Sequence, residues 1–222
     1  GASNGFRPFI AKGDAGGNVI WSKTIAGGAA SIGAYNSISC TKDGYVAAGY
    51  TRTSVSGNDI LITRIDSFGN VIWTRTIGNI GDDNGNSIIL DRKGNYVVAG
   101  YANYGLTGSS ENLYLVKLNP KGDVLWNRTI SEQSDAVGRS IIRWKSNGYL
   151  VAGSAWRNKD GFLFKPDVYL ANFDTSGTIC GSSGSGYSPA SITPYTADLL
   201  LNAASGGTAS DNLITVFFGG VF

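Results

Sequence analysis

The sequence contains no histidine among its 222 residues. Histidine is the usual general base at neutral pH and a common zinc ligand, so its absence excludes Ser-His-Asp and Cys-His catalytic arrangements and most zinc sites. Only 15% of the residues are charged and the net charge is +2, with the lysines and arginines dispersed along the chain. Such a sequence does not predict a nucleic-acid-binding surface. It also has no apolar run near the ~20 residues that a membrane-spanning helix needs.

Methionine is absent as well, and the sequence starts Gly1-Ala2-Ser3-Asn4. With the low charge, this start is typical of a mature exported protein from which a signal peptide has been removed, so we expect an extracellular or cell-surface location. Cysteine occurs only twice, at Cys40 and Cys180, and the pair permits one disulfide in an oxidising compartment. The alternative is that both cysteines are small buried hydrophobic residues.

The abundant feature of the sequence is repetition. A tryptophan phrase occurs three times, and Trp21, Trp73 and Trp126 lie 52 and 53 residues apart. The three copies read GNVIWSKTI, GNVIWTRTI and GDVLWNRTI. A repeat of this length indicates one supersecondary unit used several times. We therefore expect the three tryptophans to occupy equivalent, largely buried positions.

Two further phrases recur inside each period, and a fourth, weaker run opens it. The second phrase reads DGYVAAGY, GNYVVAGY and NGYLVAG, and the third reads DILITRID, NLYLVKLN and DVYLANFD. Short runs of Val, Ile, Leu and Tyr bounded by Gly, Asn or Asp are typical of strands joined by tight turns. Runs of helix-forming residues are nearly absent, so one period predicts four antiparallel strands, the size of one propeller blade.

In the order of these phrases the sequence resembles secreted prokaryotic β-propeller repeat proteins, whose repeat is of the type DGGYIVAGYT…DVYLIKLDSNGNVIWTKTIG. The similarity extends over about residues 9 to 180. It implies an all-β fold of four-stranded blades and an extracellular setting, and it implies no catalytic residue. The fourth copy departs from the pattern, because Gly177-Thr178-Ile179-Cys180 lacks the tryptophan.

The phrases predict a single domain, 1–222, built as a propeller-like array of about four antiparallel blades with a period of about 52 residues. The chain begins inside a blade, with the third and fourth strands of a half-blade. A degenerate C-terminal segment has strand-like runs that we expect to complete this half-blade. The half-blade is 8–26, the full blades are 34–78, 83–130 and 136–180, and the degenerate segment is 187–222.

Acidic residues in equivalent loops of successive units were the candidates for catalysis: Asp82, Asp83, Glu132 and Asp135. A glycosidase needs two carboxylates that flank one cleft. Acidic residues in turns are more often solvated, or cap the turn. We therefore predict that the chain is not an enzyme, and a secreted glycoside hydrolase is the least favoured function.

Oxygen-bearing side chains at alternate positions form a candidate calcium site, at Asp82, Asn84 and Asn86. Calcium favours such oxygen-rich loops. The spacing does not recur in the other copies, so a plain turn rich in Asp and Asn is the favoured interpretation, and we predict no resident cofactor.

Aromatic residues that follow the second strand of each unit are candidates for stacking on sugar rings: Tyr50, Tyr101, Tyr104, Trp156 and Phe162. Packing between blades is the favoured alternative. Asn127-Arg128-Thr129 is a formal glycosylation acceptor. Asn127 falls in a predicted strand, where a glycan fits only at an exposed edge.

Both ends of the chain are apolar and strand-forming. The candidate assembly residues are Phe6, Phe9 and Ile10 at the start and Leu213, Ile214, Val216, Phe217, Phe218 and Phe222 at the end. Unpaired strands of this kind aggregate, so we expect them to pair within the molecule and close a ring, or to add to the next subunit. From this we predict a non-catalytic extracellular structural protein, a subunit of a homo-polymer or homo-oligomer. The alternative is a lectin-like propeller that binds surface glycans.

Overall fold

The computed structural model describes residues 6–26, 32–52, 57–79, 81–103, 111–130, 135–145, 148–157, 165–179, 195–197 and 202–205. Within these ranges the chain is all-β and every strand pairing is antiparallel. The predicted all-β class is therefore confirmed. Over the same residues no helix is long and apolar enough to cross a membrane.

The strands follow the repeated phrases of the sequence. In chain order they are β1 (Phe9–Gly13), β2 (Val19–Ala26), β3 (Ile32–Thr41), β4 (Gly44–Arg52), β5 (Asp59–Asp66), β6 (Val71–Gly78), β7 (Asp83–Leu90), β8 (Tyr96–Asn103), β9 (Glu111–Leu118), β10 (Val124–Ile130), β11 (Ala136–Trp144), β12 (Gly148–Arg157), β13 (Lys165–Phe173), β14 (Tyr195–Ala197) and β15 (Asn202–Ser205).

These strands form four sheets, which we name by their place in the chain. The N-terminal sheet has the order β1-β2-β15, sheet 1 the order β3-β4-β5-β6-β14, sheet 2 the order β7-β8-β9-β10, and sheet 3 the order β11-β12-β13. Sheets 1 and 2 each contain the four consecutive strands that one period predicts. In sheet 3 the described residues include only a single bridge of the fourth strand, between Phe173 and Ile179, at the copy that lacks the tryptophan.

The described part of the C-terminal segment adds to outer edges of sheets. β14 pairs with β6, and β15 pairs with β2 on the side opposite β1. β15 therefore joins the N-terminal sheet beyond β2, and no described strand lies on the free side of β1, where the expected completion of the half-blade would place one. The strand-like run at 213–218 lies outside the described residues, so its partner stays a prediction.

Successive sheets pack face to face. One core cluster joins Ile60 and Ile62 of sheet 1 to Val98 and Tyr114 of sheet 2. A second cluster joins Leu113 and Leu115 of sheet 2 to Val151 and Phe173 of sheet 3, and a smaller one joins Ile10 to Ala47 and Ile65. Because neighbouring sheets cover both faces of β5 and β9, these strands are buried at nearly every position and show no alternation of polar and apolar residues.

The first strand of each unit carries a β-bulge at the same place. In sheet 2 the bulge lies between Gly85 and Ser87 and brings the carbonyl oxygen of Asn84 against Gly100 of β8, where any Cβ would collide with it. The same relation holds in sheets 1 and 3, at Gly49 against Ala34 and at Gly153 against Val137. The close approach of the bulged strand thus explains the repeated glycine of the second phrase.

Candidate functional site: the contacts between sheets

The three repeat tryptophans make the same contact with the following sheet. The indole Nε1 of Trp73 donates a hydrogen bond to the carbonyl oxygen of Pro120, in the turn between β9 and β10, at 3.1 Å. Trp21 donates to Ser67 at 3.2 Å and Trp126 to Thr175 at 3.1 Å. The predicted equivalence is confirmed, but all three side chains are half-buried rather than buried.

A glycine in each of these turns lies against the indole ring. Gly122 has φ +88°, and a Cβ built on it would lie 3.2 Å from Cδ2 of Trp73. Gly69 and Gly177 have φ +84° and +79° and face Trp21 and Trp126 in the same way. The glycine serves two purposes, because it accepts the left-handed backbone and leaves room for the ring.

A buried cation on the third strand of sheet 2 also joins it to sheet 3. Lys117 Nζ lies 2.8 Å from Asp91 Oδ2 and donates to the hydroxyl oxygen of Tyr149 at 2.9 Å. Burial raises the pKa of Asp91, but hydrogen bonds from Lys117 and Asn95 outweigh burial and hold that pKa below its usual value. Burial lowers the pKa of Lys117, and its bonds to Asp91 and Tyr149 raise it above the usual value instead. The pair is therefore ionised at neutral pH.

The position of Lys117 has an equivalent in the third strand of each other sheet. In sheet 1 it is Arg64, which pairs with Asp43 and donates from Nε to the hydroxyl oxygen of Tyr96 at 3.2 Å. In the N-terminal sheet it is Lys12, whose Nζ lies 5.8 Å from the ring centre of Tyr45. In sheet 3 the register places Asn172 there. Sheet 3 therefore has an amide side chain where the three preceding sheets have a cation.

No sheet formed by the described residues covers the outward face of sheet 3. Val168 is 88% exposed and Leu170 is 66% exposed. The register aligns these positions with Ile60 and Ile62 of β5 and with Leu113 and Leu115 of β9, which are 0% exposed. We call the Val168 and Leu170 surface the trailing face.

The opposite end of the array has a matching surface. Phe9 is 50% exposed, and Ala11 beside it is exposed. The alternation of the third strand aligns Phe9 with Leu61 of β5 and with Tyr114 of β9. Both are buried, and Tyr114 packs against the preceding sheet. We call the Phe9 and Ala11 surface the leading face. Of the other predicted assembly residues, Phe6 is 80% exposed and Ile10 is buried against sheet 1, while those from Leu213 to Phe222 lie outside the described residues.

Two of the acidic candidates fix a loop in the same way in successive units. Asp82 Oδ1 accepts a hydrogen bond from the backbone N–H of Asn58 at 2.8 Å, and Asp135 Oδ1 accepts one from that of Glu111 at 3.0 Å. Each contact joins two segments that are 24 residues apart in the sequence. Glu132 lies outside the described residues.

Asp83 is in a different environment from Asp82. It is 1% exposed, and its Oδ2 accepts a hydrogen bond from the backbone N–H of Asn79 at 2.7 Å. Its Oδ1 and the Oδ1 of Asn79 have no hydrogen-bond partner among the described residues. Burial raises the pKa of Asp83 to about 7, and the nearby carboxylate of Asp59 adds to the rise.

The structure does not gather the predicted calcium ligands around one point. Asn84 Oδ1 accepts a hydrogen bond from Asn36 of sheet 1 at 2.7 Å, whereas Asn86 Nδ2 donates to the Gly138 carbonyl of sheet 3 at 2.9 Å. The two side chains thus serve opposite neighbours. In the described part of the chain, no group of three or more His, Cys, Asp or Glu side chains is arranged to hold a metal ion.

The remaining predicted residues are scattered. Tyr50 and Tyr101 are half-buried at the ends of β4 and β8, and burial raises the pKa of Tyr101. Asn127 is 4% exposed within β10, so the folded sheet leaves no room for a glycan there. Cys40 is exposed on β3. The side chain of Trp156, together with Tyr104, Phe162 and Cys180, lies outside the described residues, so the disulfide stays a prediction.

Two grooves between sheets were not predicted from the sequence. The first, of about 520 Å³, lies between sheets 1 and 2 and is lined by Trp73, Tyr96, Lys42 and Lys121 among others. The second, of about 40 Å³, lies at the same turn end between sheets 2 and 3. The sequence signal that could have predicted these grooves is the recurrence of the Trp and Tyr phrases. Their fixed spacing places one Trp and one Tyr at every junction between two sheets.

The sequence matches no protein-family model and no curated protein.

Proposed function

We propose that this chain is a non-catalytic extracellular structural protein whose copies join end to end through the two uncovered faces of a propeller-like array. The observation that carries the proposal is the exposure of Val168 and Leu170 at positions where the two preceding sheets are fully covered. A face of this kind is costly in water, because burying one Val or Leu side chain stabilises by about 1.5–3 kcal/mol.

The leading face of a second copy is the natural partner of the trailing face. Sheets 1 and 2 show how such faces meet within the chain. The surface of sheet 1 that corresponds to the trailing face packs on the surface of sheet 2 that corresponds to the leading face, where Ile62 lies in one cluster with Val98 and Tyr114. Phe9 offers the next copy an apolar side chain at the position of Tyr114. A contact between unlike faces is head-to-tail, and it propagates into a filament unless rotation closes a ring. The apolar, strand-forming sequences at both ends of the chain fit the same role, because such sequences can add to a neighbour's sheet edge.

The non-catalytic part of the proposal has separate support. Histidine is absent from the whole chain, and Asp82 and Asp135 are engaged by backbone N–H groups. Both carboxylates therefore have a structural role in the described arrangement, where each holds a neighbouring loop.

The test uses two variants that block one face each. Val168→Lys/Leu170→Lys charges the trailing face, and Phe9→Lys charges the leading face. Light scattering after size exclusion and negative-stain microscopy should show polymers of the native chain and monomers of either variant alone. A mixture of the two variants should form dimers and stop there, because each variant keeps one functional face.

The control variant is Ile72→Lys/Leu125→Lys, which charges two side chains of the inner sheets 1 and 2 that are 52% and 50% exposed and lie on neither end face. It should polymerise like the native chain. A native chain that stays monomeric at every concentration, with Val168→Lys/Leu170→Lys lowering its melting temperature, would instead indicate that the ring closes within one molecule.

Glycan binding is a second candidate function, and the groove between sheets 1 and 2 favours it. The half-buried ring of Trp73 lines this cavity of about 520 Å³, and a partly exposed aromatic ring can stack on a sugar. A glycan array should then show binding that Trp73→Phe weakens and that Trp126→Phe, at the other junction, leaves unchanged. Equal binding by all three proteins would count against this groove.

A further inference from the structure

The groove between sheets 2 and 3 is lined mainly by cations. Arg92 and Lys93 come from the turn between β7 and β8, while Arg143 and Lys145 come from the end of β11. Their positions in the sequence are about one period apart, so the fold alone brings the four together. Arg92 Nη2 donates to the carbonyl oxygen of Lys145 at 3.2 Å, which joins the two turns across the groove.

The cations of this groove outnumber its acids. Asp91 is the one acidic residue among the described lining residues, and it already pairs with Lys117 at 2.8 Å. Arg92, Lys93, Arg143 and Lys145 form no ion pair with a described carboxylate. A cleft lined by one sign of charge concentrates the opposite ion, because its low-dielectric walls focus the field.

We propose that this groove binds one oxyanion group of the sulfate, phosphate or carboxylate type. Guanidinium groups donate parallel N–H bonds to such oxygens, and lysine ammonium groups add point charge. The cavity of about 40 Å³ has room for about three water molecules on a scale of 10–15 Å³ each. One charged group fits this space, whereas a sugar ring or a nucleobase does not.

The lining also argues against a nucleic acid as the source of that group. Single-stranded nucleic acids bind where bases stack on accessible aromatic faces. The aromatic residue of this lining, Tyr149, is 1% exposed, and its hydroxyl is held by Lys117. The two remaining sources are a free anion and an acidic polysaccharide, which present the same chemistry to the groove. The proposal does not depend on assembly, because the groove lies on neither end face.

The test is calorimetric titration of the full chain at constant ionic strength, in which sodium sulfate or phosphate replaces chloride. It is run in the Val168→Lys/Leu170→Lys background, so that polymer formation does not contribute. Arg92→Gln/Arg143→Gln should lower the affinity for sulfate at least tenfold. The matched control Arg7→Gln/Arg139→Gln removes the same charge from exposed positions outside the groove, and should stay within twofold. Circular dichroism checks that each variant is folded, and Lys93→Gln/Lys145→Gln provides an independent second variant.

Dextran sulfate, polygalacturonate and neutral dextran separate the two sources. Acidic polymers that bind more tightly than the free ion, with the same loss in Arg92→Gln/Arg143→Gln, support the site and identify a polysaccharide as the source. Polymers that bind no more tightly than the free ion support the site and identify a free anion. The proposal is overturned if no oxyanion binds saturably, if the control Arg7→Gln/Arg139→Gln loses as much affinity as Arg92→Gln/Arg143→Gln, or if single-stranded DNA outcompetes dextran sulfate.

Discussion

The indole nitrogen of Trp73 donates a hydrogen bond of 3.1 Å to the carbonyl oxygen of Pro120, so β6 of sheet 1 is tied to the β9–β10 turn of sheet 2. The ring of Trp73 also lies 5.8 Å from that of Tyr96 in sheet 2. The same pair of contacts recurs at Trp21 with Tyr45 and at Trp126 with Tyr149. Each junction between sheets is thus held by the repeat tryptophan of the Trp phrase strand, on β2, β6 or β10, and this relationship makes the energetic role of the repeat testable.

Trp73→Phe should lower the free energy of unfolding by about 1–2 kcal/mol, because it removes one hydrogen bond and part of a half-buried ring. Urea denaturation measures the change. Trp144→Phe is the control, since that side chain is 37% exposed on sheet 3, and it should change stability by less than about 0.5 kcal/mol. Equal losses in the two variants would show that the contact with Pro120 does not stabilise the junction.

Gly122→Ala should destabilise more than Gly94→Ala. Both glycines have a left-handed backbone, with φ +88° and +80°, but only Gly122 has an indole ring within 4 Å of the added Cβ. The backbone alone costs about 1–2 kcal/mol at either position. Crowding against Trp73 should add about 1 kcal/mol at Gly122. Urea midpoints of the two variants give the difference, and a Gly94 variant as unstable as the Gly122 variant would contradict the role of the ring.

Lys117→Met should cost about 3–5 kcal/mol, because it leaves the carboxylate of Asp91 buried without its partner. The double variant Lys117→Met/Asp91→Asn should recover part of this loss. The exposed pair Arg52–Asp82, at 3.8 Å with both side chains about half exposed, is the matched comparison. Arg52→Gln should cost less than about 1 kcal/mol. A double-mutant cycle without coupling between Lys117 and Asp91 would disprove the structural role of the pair.

Stability should fall as the pH rises from about 4 to about 7, because burial raises the pKa of Asp83 to about 7, whereas an unfolded Asp titrates near 3.9. In this window the folded chain holds a proton at Asp83 that the unfolded chain has released. The contribution is fully present below the unfolded pKa and is lost as the pH rises through the folded pKa.

Asp83→Asn should remove this dependence, which amounts to as much as about 1.4 kcal/mol per pH unit. The readout is the urea midpoint measured at intervals from pH 4 to 8. Ser140→Ala, at an exposed position without an ionisable group, should keep the native slope. A slope unchanged in Asp83→Asn would place the titrating group elsewhere.

The all-β class, the antiparallel units and the equivalence of the tryptophans were predictable, because they depend on local signals. Runs such as Ile60–Ile65 and Leu113–Leu118 are bounded by turn residues, and the turns repeat with the same spacing. The sequence predicted that the three tryptophans are largely buried, whereas the structure shows them half-buried. Indole packs on a turn at the outer side of each junction, where solvent reaches one side of the ring.

The candidate sites were less predictable, because carboxylate and amide side chains that are close in sequence form hydrogen bonds with different parts of the fold. Asn84 and Asn86 are two residues apart, yet one bonds to sheet 1 and the other to sheet 3. The cations of the second groove were overlooked for the converse reason. Arg92 and Arg143 are distant in the sequence, where they look like two dispersed charges.

The sequence by itself determined which residues form strands and which positions in successive units are equivalent, since backbone conformation and alternation follow from neighbours along the chain. The tertiary structure decided which of the equivalent positions are covered. Ile62, Leu115 and Leu170 are alike in type and register, but their exposure is 0%, 0% and 66%. The difference arises because burial depends on the sheet that packs next, and no further sheet of the described residues covers Leu170.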